Sequence, residues 1–246
     1  MIRRILYGTI VLLLLSFSAM SQDNFVYVQD GRLYYPNGEE VALWGVNLQS
    51  MISWEYNAKM RDAGIPKDAE AWKKMTDKSL DELEIMGANY IRVHLTPADF
   101  TDADGNLVET IYLDLLDYTT AEAAKRDMRL CYAFLNHMGG FEVASSFMKA
   151  SYDEARAIST EDYKTYSKAL NMFDERYVAA SKNYMEQLLN RVNPYSNTTY
   201  KADTSIIVWG IMNEPTVLDY EQLKKYTDEY NRFKSWLSDN GLVENN

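Results

Sequence analysis

Apolar positions along this chain follow two alternating rhythms. Short runs in which almost every residue is apolar are separated by longer stretches with apolar residues three and four apart, as expected for buried strands joined by amphipathic helices. The strand-like runs are Val41 to Asn47, Asn89 to His94, Arg129 to Asn136 and Ser205 to Met212. Thr76 to Met86 carries Leu80, Leu83, Ile85 and Met86, turns Asp81 and Glu82 outward and stops at Gly87, which predicts a helix with a glycine cap. Helices are also predicted over Ile111 to Met128, Glu175 to Arg191 and Asp219 to Leu237. Ahead of these, Phe25 to Val28 and Leu33 to Tyr35 read as a hairpin joined through Asp30-Gly31 and closed by Pro36-Asn37-Gly38. The stretch from His137 to Asp174 is longer than an ordinary connection. Its loop from Met138 to Phe173 has helical spacing over Ser151 to Ala157, which suggests a lid or cleft wall or, equally, a mobile excursion that touches no ligand.

Four apolar strands, each followed by a helix, imply right-handed crossovers and a parallel sheet covered by helices, an α/β fold. A closed (β/α)8 TIM barrel needs eight such units, and about the first four are present here. A four-unit sheet would leave an open edge at the strand near Trp44 and another at the strand near Ile207, so a truncated barrel is expected.

The first residues predict an address. Arg3 and Arg4 precede an apolar run from Ile5 to Leu15, too short to span a membrane, and Ala19 and Ser21 are the small residues of a cleavage site before Gln22. Residues 1–21 are thus expected to be a signal peptide and 22–246 the N-terminal part of a catalytic domain. The product would be secreted or periplasmic, with no stable membrane span once the signal is removed.

Composition narrows the partners. Of 246 residues, 47% are hydrophobic and 13% aromatic, enough for a sizeable core and too many for a disordered chain. Lys and Arg number 25 against 36 Asp and Glu, a net charge of −11, so the basic patch that nucleic acid requires is missing. The single cysteine, Cys131, lies in an apolar run and reads as a small core residue. His94 and His137 are 43 positions apart, with no H-E-x-x-H and no cysteine pair, so neither a zinc site nor any other cofactor is expected. Asn197-Thr198-Thr199 fits the N-glycosylation pattern.

In a parallel barrel the loops after the strands converge on one face. The residues to inspect there are Asn47, Arg92 and His94, Asn136 and His137, and Asn213 and Glu214. Ile211-Met212-Asn213-Glu214-Pro215 places a carboxylate at the end of a buried strand beside an amide. With an apolar wall behind it, Glu214 would suit general acid work; without one, it is a solvated acid favouring the start of the next helix. Trp54 and Tyr56, in the first-strand loop, read either as exposed rings with an apolar face to offer or as core, whereas Trp209 reads as core. His94 reads as structural, and His137 as either a site residue or a structural hydrogen-bonding residue.

Asn213-Glu214-Pro215, with Tyr200-Lys201-Ala202-Asp203 and Arg191-Val192-Asn193 upstream, resembles the fourth strand of clan A glycoside hydrolases, especially family 5. Leu116-Asp117-Tyr118 to Glu122-Ala123, with Leu130 to Asn136 and Gly139-Gly140, resembles its β-mannanase branch. The resemblance covers about Arg32 to Trp236. It implies a retaining hydrolase of β-1,4-linked polysaccharide, most plausibly an endo-β-mannanase, with Glu214 as acid/base and Asn213 holding the sugar 2-hydroxyl. Arg92 would orient the nucleophile, and His137, Trp54 and Asn47 would contact polysaccharide or oligosaccharide. The family's nucleophile is a glutamate ending a seventh strand, which this chain does not contain. The resemblance therefore leaves open a carbohydrate-binding or interaction module that retains the cleft without the bond-breaking pair.

Overall fold

The computed structural model describes residues 25–48, 62–136, 142–215 and 218–242. The expected signal, Trp54, Tyr56, His137 and Gly139-Gly140 lie outside these residues. The described residues fall into two units that divide between Leu43 and Trp44.

In the first unit, β1 (Tyr27–Gln29) pairs antiparallel with β2 (Arg32–Tyr34). Asp30 and Gly31 both take positive φ, 49° and 77°, the backbone that a two-residue hairpin turn requires and that an Asp-Gly pair supplies.

The second unit is built on a four-stranded parallel sheet. Its strands in chain order are β3 (Gly45–Asn47), β4 (Tyr90–His94) and β5 (Arg129–Leu135), then a small hairpin of β6 (Val192–Asn193) and β7 (Thr198–Thr199), then β8 (Ile206–Met212). The sheet order is β3-β4-β5-β8, all parallel. The strand runs read from the sequence are therefore the sheet strands, and the fold is α/β. β3 is shorter than the apolar run suggested: the Trp44 N–H is already donated to the Asn89 side chain (2.8 Å) instead of to a neighbouring strand. Gly45 is required where β3 meets β4, because a Cβ there would sit 1.7 Å from the Tyr90 carbonyl oxygen.

Around the sheet lie α1 (Ala69–Ile85), α2 (Ile111–Lys125), α3 (Phe147–Ile158), α4 (Tyr163–Phe173), α5 (Glu175–Asn190), α6 (Tyr220–Leu223) and α7 (Thr227–Asp239). Helix α1 starts seven residues before the predicted Thr76, because Asp68 accepts the Ala71 N–H (2.8 Å) as an N-cap and Trp72 is buried one turn inside. The long connection after β5 carries two helices, α3 and α4. The last predicted helix is divided into α6, with an Asp219–Gln222 capping box, and α7.

The core lies between sheet and helices. Tyr132 is fully buried and Phe134 nearly so, and Trp209 stacks on Phe134 with centroids 4.7 Å apart. Trp209 is only partly buried, which corrects its assignment to the core interior. It belongs to an edge strand, and on the same strand Val208 and Ile211 are exposed. Cys131 is buried, as expected.

One ionic cluster ties the layers together. Asp117, in the middle of α2 and fully buried, accepts Arg191 Nε (3.0 Å) and Nη2 (2.7 Å) and the Tyr200 hydroxyl (2.9 Å). Asn193 donates to the Asp117 carbonyl (2.8 Å), and the outer edge of the Arg191 guanidinium meets Glu109 at 2.6 Å. Burial pushes the Asp117 carboxyl up, against the pull of Arg191. Removing one partner of such a pair strands a buried charge, which costs about 3–5 kcal/mol. We expect Asp117→Ala to lower unfolding free energy by an amount in that range in urea titrations. Arg191→Met should act through the same cluster, with the double variant losing less than the sum. Additive losses would show that the pair does not act as a unit.

Candidate active site

The parallel register carries each strand to a common level at its C-terminal end. Asn47 stands opposite Arg92, His94 opposite Ala133 and Leu135 opposite Met212. The ladder continues one step further: Leu48 N–H bonds to Arg92 O, Leu95 N–H to Ala133 O, Asn136 N–H to Leu95 O and Asn213 N–H to Leu135 O, at 2.8–3.0 Å. The exit residues are therefore held by backbone hydrogen bonds before any side chain takes part.

Three of the predicted site residues come together. The Arg92 guanidinium donates through Nη2 to Asn213 Oδ1 (3.1 Å) and through Nη1 to Asn47 Oδ1 at the long distance of 3.4 Å. Arg92 lies on β4 and Asn213 just past β8, with β5 between them. Two strand spacings come to roughly 9.6 Å, a gap that the long arginine side chain bridges. The guanidinium is matched to amide oxygens at both contacts, leaving further N–H donors on its planar fork.

Glu214 follows Asn213 in the left-handed region, φ 49°, a conformation that costs a residue with a Cβ about 1 kcal/mol. Its side chain is 80% exposed. The apolar wall that would suit general acid work is absent among the described residues, because β8 is the edge of the sheet and Ile211 and Pro215 open onto a groove of about 500 Å³ that also takes in Leu135, Met185 and Met212. Instead an ammonium faces it: Lys168 Nζ donates to the Glu214 carbonyl (2.8 Å) and lies 3.7 Å from Oε2. Lys168 was not singled out from the sequence. It sits on α4, inside what reads as a long connection, and no local motif marks it.

Beside Arg92, His94 is 7% exposed. Burial lowers its pKa from the ordinary 6.5, and the Arg92 charge lowers it further, partly offset by Glu214. Asn136 is also largely buried. Among the described residues no group of three His, Cys, Asp or Glu side chains is placed to hold a metal ion, and no helix is long and apolar enough to cross a membrane.

Comparison with known proteins places this arrangement. A family model described as GH family 5 beta-mannosidase-like matches residues 22–245. The chain belongs to glycoside hydrolase family 5. A relative in Arabidopsis thaliana, mannan endo-1,4-beta-mannosidase 5, is 28% identical over 131 residues, covering 52% of this chain and 29% of the relative. The fold is similar to that of a family 5 mannosidase from Rhizomucor miehei (TM-score 0.55, 15% identity, 86% of this chain and 54% of that one). It is also similar to an endo-1,4-beta-mannanase of the same organism (TM-score 0.53, 16% identity, 85% of this chain and 58% of that one). This family 5 chain thus spans about half the length of the solved chains it matches. The family is the one that the tripeptide after β8 and its upstream segments suggested, and its members are O-glycosyl hydrolases.

The buried histidine yields a pH test of this geometry. With its folded pKa below 6.5, His94 binds fewer protons in the folded chain than in the unfolded one, so stability falls as pH drops through 6.5. We expect His94→Asn to lose that part of the pH dependence when urea unfolding of both proteins is followed from neutral to mildly acidic pH. Superimposable pH profiles would contradict it.

Proposed function

We propose that this chain supplies the proton-donating half of the active site of a secreted, retaining β-1,4-mannan hydrolase. The observation that carries the reading is the grouping of Asn47, Arg92 and Asn213 with Glu214 toward the C-terminal ends of three strands of the parallel sheet, β3, β4 and β8. In this reading the four strands and their helices are the first half of a (β/α)8 TIM barrel, and the exposed edges at Trp44 and Ile211 are where the remaining units pack.

Glu214 protonates the leaving glycosidic oxygen and later takes a proton from the incoming water. Asn213 holds the sugar 2-hydroxyl, a hydrogen bond that strengthens as the oxocarbenium-like transition state forms. Arg92, its Nη1 and Nη2 on the two asparagines, offers further donors to the second carboxylate. That carboxylate is not supplied by the described ends of β3, β4 or β5, where Asn47, His94 and Asn136 stand. His137 contacts sugar, and Trp54 stacks on a pyranose face. Mannan is the substrate favoured by the activity for which the plant relative is named. Residues 1–21 act as the signal, so mass spectrometry of exported protein should find Gln22 at the N-terminus.

The absence of a second carboxylate from those strand ends favours one other reading, a carbohydrate-binding module. Calorimetry with mannohexaose and a reducing-sugar assay on β-1,4-mannan separate the two. For the hydrolase we expect turnover once the chain is joined to the remaining barrel units, lowered about 10²–10⁴-fold by Glu214→Gln with mannohexaose binding retained. Binding without turnover by that completed barrel would select the module, and neither binding nor turnover would overturn both.

A further inference from the structure

Helix α4 delivers a single cation to the end of β8. Its position is fixed from behind: Asn171 Nδ2 donates to Ser151 Oγ on α3 (2.7 Å), Ser151 and Ser167 hydroxyls meet at 3.3 Å, and the Tyr226 hydroxyl donates to the Tyr166 carbonyl (3.1 Å). From this anchored helix the Lys168 side chain, only 18% exposed, runs to Glu214. One ammonium thus bonds to the carbonyl and lies near the carboxylate of the same residue, at 2.8 Å and 3.7 Å. That residue holds a left-handed backbone with a Cβ attached.

We propose that Lys168 is the positioning residue for Glu214, fixing the strained 213–215 turn so that the carboxyl projects from one defined point. The proposal rests on the reading of Glu214 as proton donor. When the Glu214 O–H bond breaks and the proton passes to the leaving oxygen as its bond to the anomeric carbon opens, the charge left on the carboxylate develops facing the ammonium. Stabilisation then grows along the reaction coordinate instead of being uniform. A cation with several N–H donors suits this task because it can serve a carbonyl and a carboxylate at once, which an arginine can also do.

Amide hydrogen exchange of the whole chain, followed by NMR, tests this without substrate. In Lys168→Gln the Asn213 amide, bonded to Leu135 O, should exchange roughly tenfold faster as the turn opens, while β4 and β5 amides keep their rates. Lys168→Arg should restore the slow rate. In a Glu214→Gly background, where positive φ carries no Cβ penalty, Lys168→Gln should change the Asn213 rate by much less. An unchanged Asn213 rate, acceleration spread over the whole sheet, failure of arginine to rescue, or an equal effect in the glycine background would each overturn the proposal. Because the readout does not depend on turnover, a negative result for Glu214→Gln hydrolysis would strike the proposed function and leave this test interpretable.

Discussion

The buried pair of Asp117 and Arg191 is the interaction on which the rest of this chain depends. A carboxylate in the middle of α2 has no access to water, and it is tolerable there because a guanidinium and a phenol hydroxyl occupy its lone pairs. The partners come from the segment just after α5 and the turn just before β8, so one cluster fixes where α2, the β6–β7 hairpin and the start of β8 lie relative to one another. Segments that resemble family 5 in the sequence, around Asp117, Arg191, Asn193 and Tyr200, are brought into a single hydrogen-bonded group by the fold. Their common purpose is to set the line along which β8 runs, and therefore where Asn213 and Glu214 emerge.

From that fixed line the site follows by register. Parallel pairing places Arg92 level with Asn47, and the length of the arginine side chain lets the same guanidinium reach the amide after β8. Arg92 is thus a cross-strand tie as well as a candidate substrate-side group. Glu214 is exposed just past the edge strand β8, and it differs from the others in that α4 offers it Lys168 in place of an apolar wall. The electrostatic surroundings of the carboxylate are therefore set by a helix of the long connection, not by the strand that bears it.

Much of this was legible along the chain. The four sheet strands read as near-continuous apolar runs because a parallel sheet is covered on its faces, and β5 is buried at nearly every position. Glycine at 87 and the Asp-Gly pair at 30–31 marked a helix end and a hairpin because their positive φ is intrinsic to those residue types. The first turns of α1 escaped notice because Asp68 and Trp72 act there through a cap and through burial against other elements, neither of which shows in a local period. Helical spacing over Ser151 to Ala157 marked the middle of α3, but α4 escaped notice for a similar reason: the face it shares with α3 is partly polar, with Ser151, Ser167 and Asn171 bonding to one another. A pattern that sorts apolar from polar positions reads such a face as loop.

By itself, the sequence determined the strand order along the chain, the α/β class, the family, and the identity of the groups at the strand ends, because each depends on local composition or on a short contiguous motif. Only the tertiary structure decided that Arg92 grips Asn213 across two strands, that Asp117 and Arg191 share a buried site, and that Glu214 faces Lys168. Those contacts join residues 121, 74 and 46 positions apart. The chain meets itself at such separations only after the strands have paired in register and the helices have packed, so the distances and charges at the site are properties of the assembled layers.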